Sequence, residues 1–200
     1  MRARAKNNQR AARSLDLTHG SVIRRLSPAD VPAFRRLRLQ ALRESPTAFG
    51  SSYGEEARRP LAAFKKILAV TPDNFAFGSL QGAQLIGVLR LVREQGKKER
   101  HKATIYGLYV APTARRSGIA RKLLAKALAT GRALKGLRQI RIGVVTSNAA
   151  ATALYVKAGF LEYGQEEEAL FVAGRFHAES LMVKKLRGSR AGKGQAPVSR

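Results

Sequence analysis

Between residues 102 and 145 the hydrophobic pattern changes from that of a strand to that of a helix and back again. Lys102–Val110 is predicted to form a strand, residues 118–134 place apolar side chains at helical spacing, and Gln139–Val145 is a short apolar run. Two strands joined by a helix in this way lie parallel and are connected by a right-handed crossover. We therefore predict an α/β fold, with this unit inside a mixed sheet.

The segments on both sides of this unit extend the predicted order to β-α-α-β-β-β-α-β-α-β-β. A first helix is predicted from Ser27, as N-cap, to about Glu44, because Pro28 suits the first helical position. Residues 48–56 are predicted to form a loop. The other predicted helices cover residues 60–70 and 148–158, and the other predicted strands cover residues 21–26, 74–80, 84–93, 160–172 and 176–184.

Both ends of the chain are predicted to be flexible, basic tails. Residues 1–20 and 187–200 contain few bulky apolar side chains, whereas residues 21–186 show no internal repeat and no second linker. We therefore predict one domain over residues 21–186. Of the formal charge of +25, the first 20 residues carry +4 and residues 184–200 carry +6, which leaves +15 on residues 21–183.

Composition excludes several classes of protein. The chain has no cysteine, which rules out disulfides, a thiol nucleophile and a thiolate metal site. Its three histidines are far apart in sequence, so no metal site is predicted. No stretch approaches the roughly 18 apolar residues of a membrane-spanning helix. We therefore expect a soluble protein and assign it to the cytoplasm.

The turn that follows the strand Lys102–Val110 has the features of an anion site. Pro112 ends the strand, and Gly118 begins an amphipathic helix, whose first turn offers unpaired N–H groups and a partial positive charge. A glycine there lets an anion approach the backbone, so a pyrophosphate is expected at this turn. No acidic side chain occurs in the 62 residues between Glu99 and Glu162.

A second block lies one strand downstream, within the predicted helix 148–158. Its pattern is Asn148-x-x-Ala151-x-x-Leu154-Tyr155-x-x-x-Gly159-Phe160. Asn148, Thr152 and Tyr155 share one helix face, and the alanine and leucine positions form another. One face is therefore expected to line a cleft while the other packs on the sheet.

These two blocks resemble the cofactor motifs of a known family. The segment Arg115-x-x-Gly118-x-Ala120 is similar to the acetyl-CoA motif (Q/R)xxGx(G/A) of the GNAT superfamily of N-acetyltransferases, and the second block is similar to the family pattern NxxAxxLYxxxGF. The phosphate loop GxxxxGK[ST] and the dinucleotide fingerprint GxGxxG are absent. The resemblance covers residues 21–186 and is strongest between Lys102 and Phe160.

The resemblance implies a GNAT-like acyl-CoA N-acyltransferase fold whose fourth and fifth strands separate, with acetyl-CoA as co-substrate in the gap. It implies that backbone N–H groups of residues 116–120 hold the pyrophosphate, that main-chain groups of Leu108 and Val110 pair with the pantetheine arm, and that Tyr155 protonates the departing thiolate. The implied cofactor-binding residues are Leu108, Tyr109, Val110, Arg115, Arg116, Ser117, Gly118, Ile119, Ala120, Asn148 and Tyr155.

The implied reaction is direct attack of a primary amine, on a small molecule or a protein, on the acetyl carbonyl. The general base is not assigned, because Lys102–Val110 contains no carboxylate where many relatives have one. The candidates are Glu55, Glu56, His177, Glu179 or a chain of water molecules. An exposed Tyr53 beside two glutamates suits a cationic amine as the acceptor.

The positive charge supports a hypothesis from another class, a nucleic-acid- or ribosome-associated binding protein with a vestigial or regulatory CoA site. Against it, aromatic residues make up only 6% of the chain, and no stacking-strand motif, helix-turn-helix pattern or zinc spacing is present. A CoA-binding sensor without catalysis is a third hypothesis, favoured by the missing strand carboxylate. The oligomeric state is not predicted.

Overall fold

The structure is a computed structural model and describes residues 20–186 of the chain. Five α-helices and seven strands lie within this range. In chain order they are β1 (Val22–Arg25), α1 (Val31–Glu44), α2 (Tyr53–Arg58), α3 (Leu61–Ile67), β2 (Asn74–Gln81), β3 (Gln84–Arg93), β4 (Lys102–Val110), α4 (Ile119–Ala133), β5 (Gln139–Val145), α5 (Ala149–Lys157), β6 (Leu161–Val172) and β7 (Arg175–Lys185). The predicted tails lie outside the described residues, except for Gly20.

All seven strands form one sheet in the order β1-β2-β3-β4-β5-β7-β6. Every neighbouring pair is antiparallel except β4 and β5, which are parallel and joined by α4. The predicted mixed sheet with a central β-α-β unit is therefore confirmed.

The parallel pair separates soon after it begins. β4 and β5 are paired only through Lys102–Gln139, Ala103–Ile140 and Thr104–Arg141, although both strands continue for several residues. The predicted separation of the fourth and fifth strands is confirmed, and it opens a gap between their carboxyl-terminal halves.

A β-bulge in β4 lies at this gap. Val88 of β3 pairs with Tyr109 and Arg90 pairs with Tyr106, so that two residues of β4, Gly107 and Leu108, lie opposite one residue of β3. Gly107 has a φ of 61°, a left-handed conformation that glycine adopts without strain. The bulge bends β4 and increases its twist while β4 stays hydrogen-bonded to β3.

Each face of the sheet is covered by helices and has its own core. α4 and α5 cover one face, where α4 packs on β2, β3 and β4 and contributes the buried Leu123 and Leu124. α1 and α3 cover the other face, where the Phe34 and Phe64 rings meet edge-on with centroids 6.4 Å apart. No helix in the described part of the chain is long and apolar enough to cross a membrane.

The predicted loop at residues 48–56 is partly helical, so three helices rather than two lie between β1 and β2. Pro46–Ala48 forms a 3₁₀ turn and α2 follows at Tyr53. The reason is a capping box: the Ser52 hydroxyl accepts a hydrogen bond from the Glu55 N–H, and the Glu55 carboxylate accepts one from the Ser52 N–H. At six residues, α2 is too short for hydrophobic periodicity to reveal it.

Candidate active site

The gap between β4 and β5 holds a cavity of about 70 Å³. The strands contribute one wall each, and α5 closes the end of the gap. Its lining residues are Ala48, Ile105, Gly107, Leu108, Ile142, Gly143, Val144, Val145, Asn148, Ala151 and Tyr155. Three of the residues predicted to bind the cofactor, Leu108, Asn148 and Tyr155, therefore meet in one place although they are far apart in sequence.

The turn from Arg115 to Ala120 places backbone N–H groups at the start of α4. Arg116 and Gly118 have φ values of 62° and 79°, and Gly118 is the N-cap residue. Ile119 is buried and anchors the first turn of the helix in the core. No acidic side chain lies in that turn, so the unpaired N–H groups and the helix dipole offer an uncompensated positive field. This geometry suits a pyrophosphate.

The side chains of the same turn bind the protein itself. Arg115 Nε donates to the carbonyl oxygen of Val110 at 3.1 Å, and Ser117 Oγ donates to that of Ala114 at 2.6 Å. Arg116 is exposed. Arg115 and Ser117 therefore stabilise the turn, which leaves the backbone N–H groups and the Arg116 side chain for a ligand.

Tyr109, which the resemblance places at the cofactor, points its side chain to the opposite face of the sheet. Its hydroxyl donates to the Glu44 carboxylate at the end of α1, and Arg115 forms an ion pair with the same carboxylate at 3.5 Å. Burial and the Glu44 contact raise the pKa of Tyr109 well above its usual value, so it stays protonated. Of Tyr109, only main-chain atoms are placed to contribute to the cofactor site.

Tyr155 of α5 is a buried side chain at the end of the gap. It is 5% exposed, and its ring packs edge-on against Phe160 with centroids 5.9 Å apart. Burial raises the pKa of Tyr155 far above its usual range, because the interior disfavours a phenolate. Tyr155 therefore keeps its proton at neutral pH and has one to donate.

Asn148 is the N-cap of α5, and its side-chain oxygen accepts a hydrogen bond from the Ala151 N–H at 3.2 Å. The cap leaves the side-chain amide N–H groups of Asn148 available. The helix face that lines the gap is Asn148, Ala151 and Tyr155. Thr152, expected on this face, instead donates to the Asn148 carbonyl oxygen.

A larger cavity of about 650 Å³ opens from the gap on the face of the sheet that α1–α3 cover. The two cavities share Ala48, Ile105, Gly107 and Gly143. Five charged side chains line the larger cavity: Arg38, Glu56, Arg59, Arg90 and Glu179. The position of this cavity beside the gap makes it the candidate acceptor site.

The candidate general bases differ in their exposure, in their ion pairs and in whether they line the larger cavity. Glu55 caps α2 and is exposed, and Glu56 is 3% exposed with Oε1 in ion pairs to Arg38 and Arg59 at 3.2 and 3.6 Å. His177 is not among the cavity residues, but Glu179 is. At the expected cationic-acceptor site beside Tyr53, one oxygen of each carboxylate is thus engaged by the protein, and Tyr53 itself is half-buried beneath the Arg43 guanidinium.

Glu179 of β7 is half-buried at the point where the two cavities join. Its Oε2 lies 2.8 Å from where a Cβ on Gly143 would be, so the carboxylate lies close to the backbone of β5. Burial raises the pKa of Glu179, and the negative charge of Glu166 on the neighbouring strand raises it further. Among the described residues it forms no ion pair.

The model of the acetyltransferase (GNAT) family matches residues 38–160, which is more than half of the chain. The chain therefore belongs to the acetyltransferase (GNAT) family. This result confirms the predicted family, fold and enzyme class. Nothing in the described residues or in this match supports the nucleic-acid-binding alternative.

The chain is also similar to individual proteins and solved structures. A spermidine N(1)-acetyltransferase from Vibrio cholerae is 30% identical over 92 residues, which are 46% of this chain and 51% of that protein; the chain thus spans about half the length of this curated relative. A GNAT-family acetyltransferase from Streptococcus pneumoniae has a TM-score of 0.75 at 23% identity, with 84% of this chain and 100% of that chain covered. The yncA structure from Salmonella typhimurium, solved with its cofactor acetyl-CoA, has a TM-score of 0.71 at 19% identity, with 88% and 100% covered.

Three features of the site were not predicted from the sequence: the bulge at Gly107, the approach of Glu179 to Gly143, and the arginines Arg38 and Arg90 in the larger cavity. A glycine within an otherwise β-branched and aromatic strand is a signal for a bulge, and Gly107 in IYGLYV provides it. The other features depend on strands and helices that meet only in the folded chain.

We predict that Gly118→Ala weakens acetyl-CoA binding by about tenfold, as measured by calorimetry at moderate and high salt. Alanine at a φ of 79° costs roughly 1–2 kcal/mol, which favours relaxation of the turn and moves its N–H groups off the anion. The matched control is Gly136→Ala, with a φ of 77° beyond the other end of α4. Equal affinities for the two variants would contradict the assignment.

Proposed function

We propose that this chain transfers the acetyl group of acetyl-CoA to a primary amine by direct attack. The observation that carries the proposal is the gap between β4 and β5, whose cavity shares four lining residues with the cavity that holds Glu179. In this proposal the thioester end of acetyl-CoA enters the gap, and its pyrophosphate is bound by the N–H groups of residues 116–120 at the start of α4. The acceptor amine then approaches from the larger cavity.

The chain offers separate groups for the two ends of the co-substrate. Backbone N–H groups of residues 116–120 bind the pyrophosphate, with Arg116 exposed beside them. Main-chain groups of Leu108 and Val110 pair with the pantetheine arm, since β4 and β5 have separated here and this edge of β4 has no partner strand among the described residues. Asn148 contributes its amide N–H groups near the thioester end of the gap.

The reaction needs two proton transfers. As the amine nitrogen attacks the thioester carbonyl, a N–C bond forms and the C–S bond breaks, and the amine proton must leave while the thiolate gains one. Tyr155, which lines the gap and is protonated, gives its proton to the sulfur as the C–S bond breaks, and the phenolate then recovers a proton from water. The chain has no cysteine, so no acyl-cysteine intermediate forms on it.

We assign the role of general base to Glu179. It lies at the junction of the cavities, and its raised pKa makes it a stronger proton acceptor than an ordinary glutamate. Glu166 on β6 faces it, and Arg38, Arg59 and Arg90 line the same cavity. Glu56 is a weaker candidate, since two guanidinium groups already occupy its Oε1.

The test of the proposed function is a screen of acceptors in which release of the CoA thiol is followed over time. We expect acetylation of primary amines and formation of the amide product by mass spectrometry. Acetylation of hydroxyl acceptors alone would contradict the proposal.

We predict that Tyr155→Phe lowers kcat by about 100-fold or more, because an acid that protonates the leaving group contributes on this scale. The KM for acetyl-CoA is expected to change little, since phenylalanine fills the same space beside Phe160. Tyr163→Phe, on the exposed part of β6, is the control and leaves both constants unchanged. If Tyr155→Phe weakened acetyl-CoA binding as much as turnover, Tyr155 would be a packing residue.

We predict an acid limb in the pH profile of kcat/KM that belongs to Glu179. The base must be ionised, and its pKa is raised, so activity falls with decreasing pH at values above the ordinary 4.5 of a glutamate. Glu179→Gln removes this limb and lowers the rate, whereas the limb due to protonation of the acceptor amine persists. Glu168→Gln, an exposed position on β6, keeps the wild-type profile. An unchanged acid limb in Glu179→Gln would exclude this residue as the base.

A further inference from the structure

The acceptor cavity contains more positive than negative charge. Three arginines line it, against two carboxylates. One carboxylate, Glu56, is shared by Arg38 and Arg59, and its Oε1 also accepts a hydrogen bond from the Ser51 hydroxyl at 2.9 Å. Among the described residues Arg90 forms no ion pair, although the Glu56 charge acts on it from a longer distance.

Arg90 reaches the cavity from β3, at the position that pairs with Tyr106 beside the bulge. Its Nη2 donates to the Asn74 side-chain oxygen at 3.2 Å, and its buried Nε has no hydrogen-bond partner among the described residues. Burial lowers the pKa of the Arg90 guanidinium. A cation held in a partly dry site without an ion-pair partner is stabilised by an anionic ligand that forms hydrogen bonds with it.

Arg38 is the second cation, and it is held rigidly at the junction of the cavities. Its Nη2 donates to Ser51 Oγ at 2.7 Å and to Glu56 at 3.2 Å, and its guanidinium lies 4.6 Å from the centre of the Phe49 ring. Its Nη1 lies 3.7 Å from where a Cβ on Gly107 would be. Nη1 donates to no acceptor among residues 20–186, so it is a pre-organised donor next to the reaction centre.

The opposite charge lies on the other side of the same junction. Arg38 is beside Gly107 of β4, and Glu179 is beside Gly143 of β5, and both glycines belong to the two cavities at once. A molecule that enters the junction thus meets a proton acceptor on one strand and guanidinium groups on the other. This pattern suits an amine with an anionic group close to it.

We propose that the acceptor is a small amino carboxylate, whose amine points to Glu179 and whose carboxylate is bound by Arg38 and Arg90. The inference rests on the proposed acetyl transfer. The cavity volume of about 650 Å³ suits a small molecule. The arginines disfavour a polycation, so the acceptor differs in charge from spermidine, the substrate in the name of the Vibrio cholerae relative.

The experiment compares matched acceptors at saturating acetyl-CoA. The panel contains the common L-α-amino acids, the amide of each, the corresponding amine without the carboxylate, and spermidine. For the preferred amino acid we expect kcat/KM to exceed that of its amide and its decarboxylated amine by about tenfold or more, because an Arg–carboxylate hydrogen bond is charge-assisted.

Variants at Arg90 test the cation itself. Arg90→Gln should abolish the preference for the carboxylate mainly through KM, and Arg90→Lys should restore part of it because the charge returns. Arg36→Gln, an exposed arginine on α1, removes the same charge elsewhere and should leave the preference unchanged. Thermal unfolding of each variant shows that it is folded.

The experiments distinguish failure of the inference about the acceptor from failure of the proposed acetyl transfer. If amides, decarboxylated amines or spermidine react as well as the amino acids, or if acetyl-CoA binds and no amino carboxylate reacts, the inference is overturned while amine acetylation can stand. Absence of acetyl-CoA binding would overturn the proposed function itself. A carboxylate preference that persists in Arg90→Gln would overturn the role of Arg90.

Discussion

The separation of β4 and β5 after three residue pairs is the constraint on which the rest of the structure depends. If pairing continued along both strands, their main-chain groups would satisfy one another and the sheet would have no gap. The bulge at Gly107 and Leu108 bends β4 away while β3 keeps its hydrogen bonds to it. The cores on the two faces hold the strands in this geometry, and beyond Thr104 and Arg141 the facing main-chain groups of β4 and β5 do not pair with each other.

The same bulge decides which face each side chain of β4 occupies. Before it, Ala103 and Ile105 face the core under α4; after it, Leu108 and Val110 do, because one extra residue reverses the alternation. Tyr109 is thereby directed to the face of α1, where its hydroxyl meets Glu44. That carboxylate also pairs with Arg115, so the turn at the start of α4 is tied to the helix that carries Arg38.

The charged residues are distributed unevenly along the chain. The chain has 38 basic and 13 acidic residues, and none of the acids lies between Glu99 and Glu162, the span that contains the turn at Gly118. In the larger cavity, the Glu56 carboxylate forms ion pairs with two arginines, whereas burial and the nearby Glu166 raise the pKa of Glu179. The two glutamates of one cavity therefore differ in their charged neighbours.

Local sequence determined the order of the main elements, the mixed sheet, and the two motifs around Gly118 and Tyr155, because periodicity, caps and turns act over a few neighbouring residues. Even α2 had its signal in Ser52-x-x-Glu55, although six residues are too few for periodicity. The larger cavity could not be predicted in this way. It joins Arg38 of α1, Arg90 of β3 and Glu179 of β7, and whether each is paired, buried or available depends on strand order and packing, which only the tertiary structure decides.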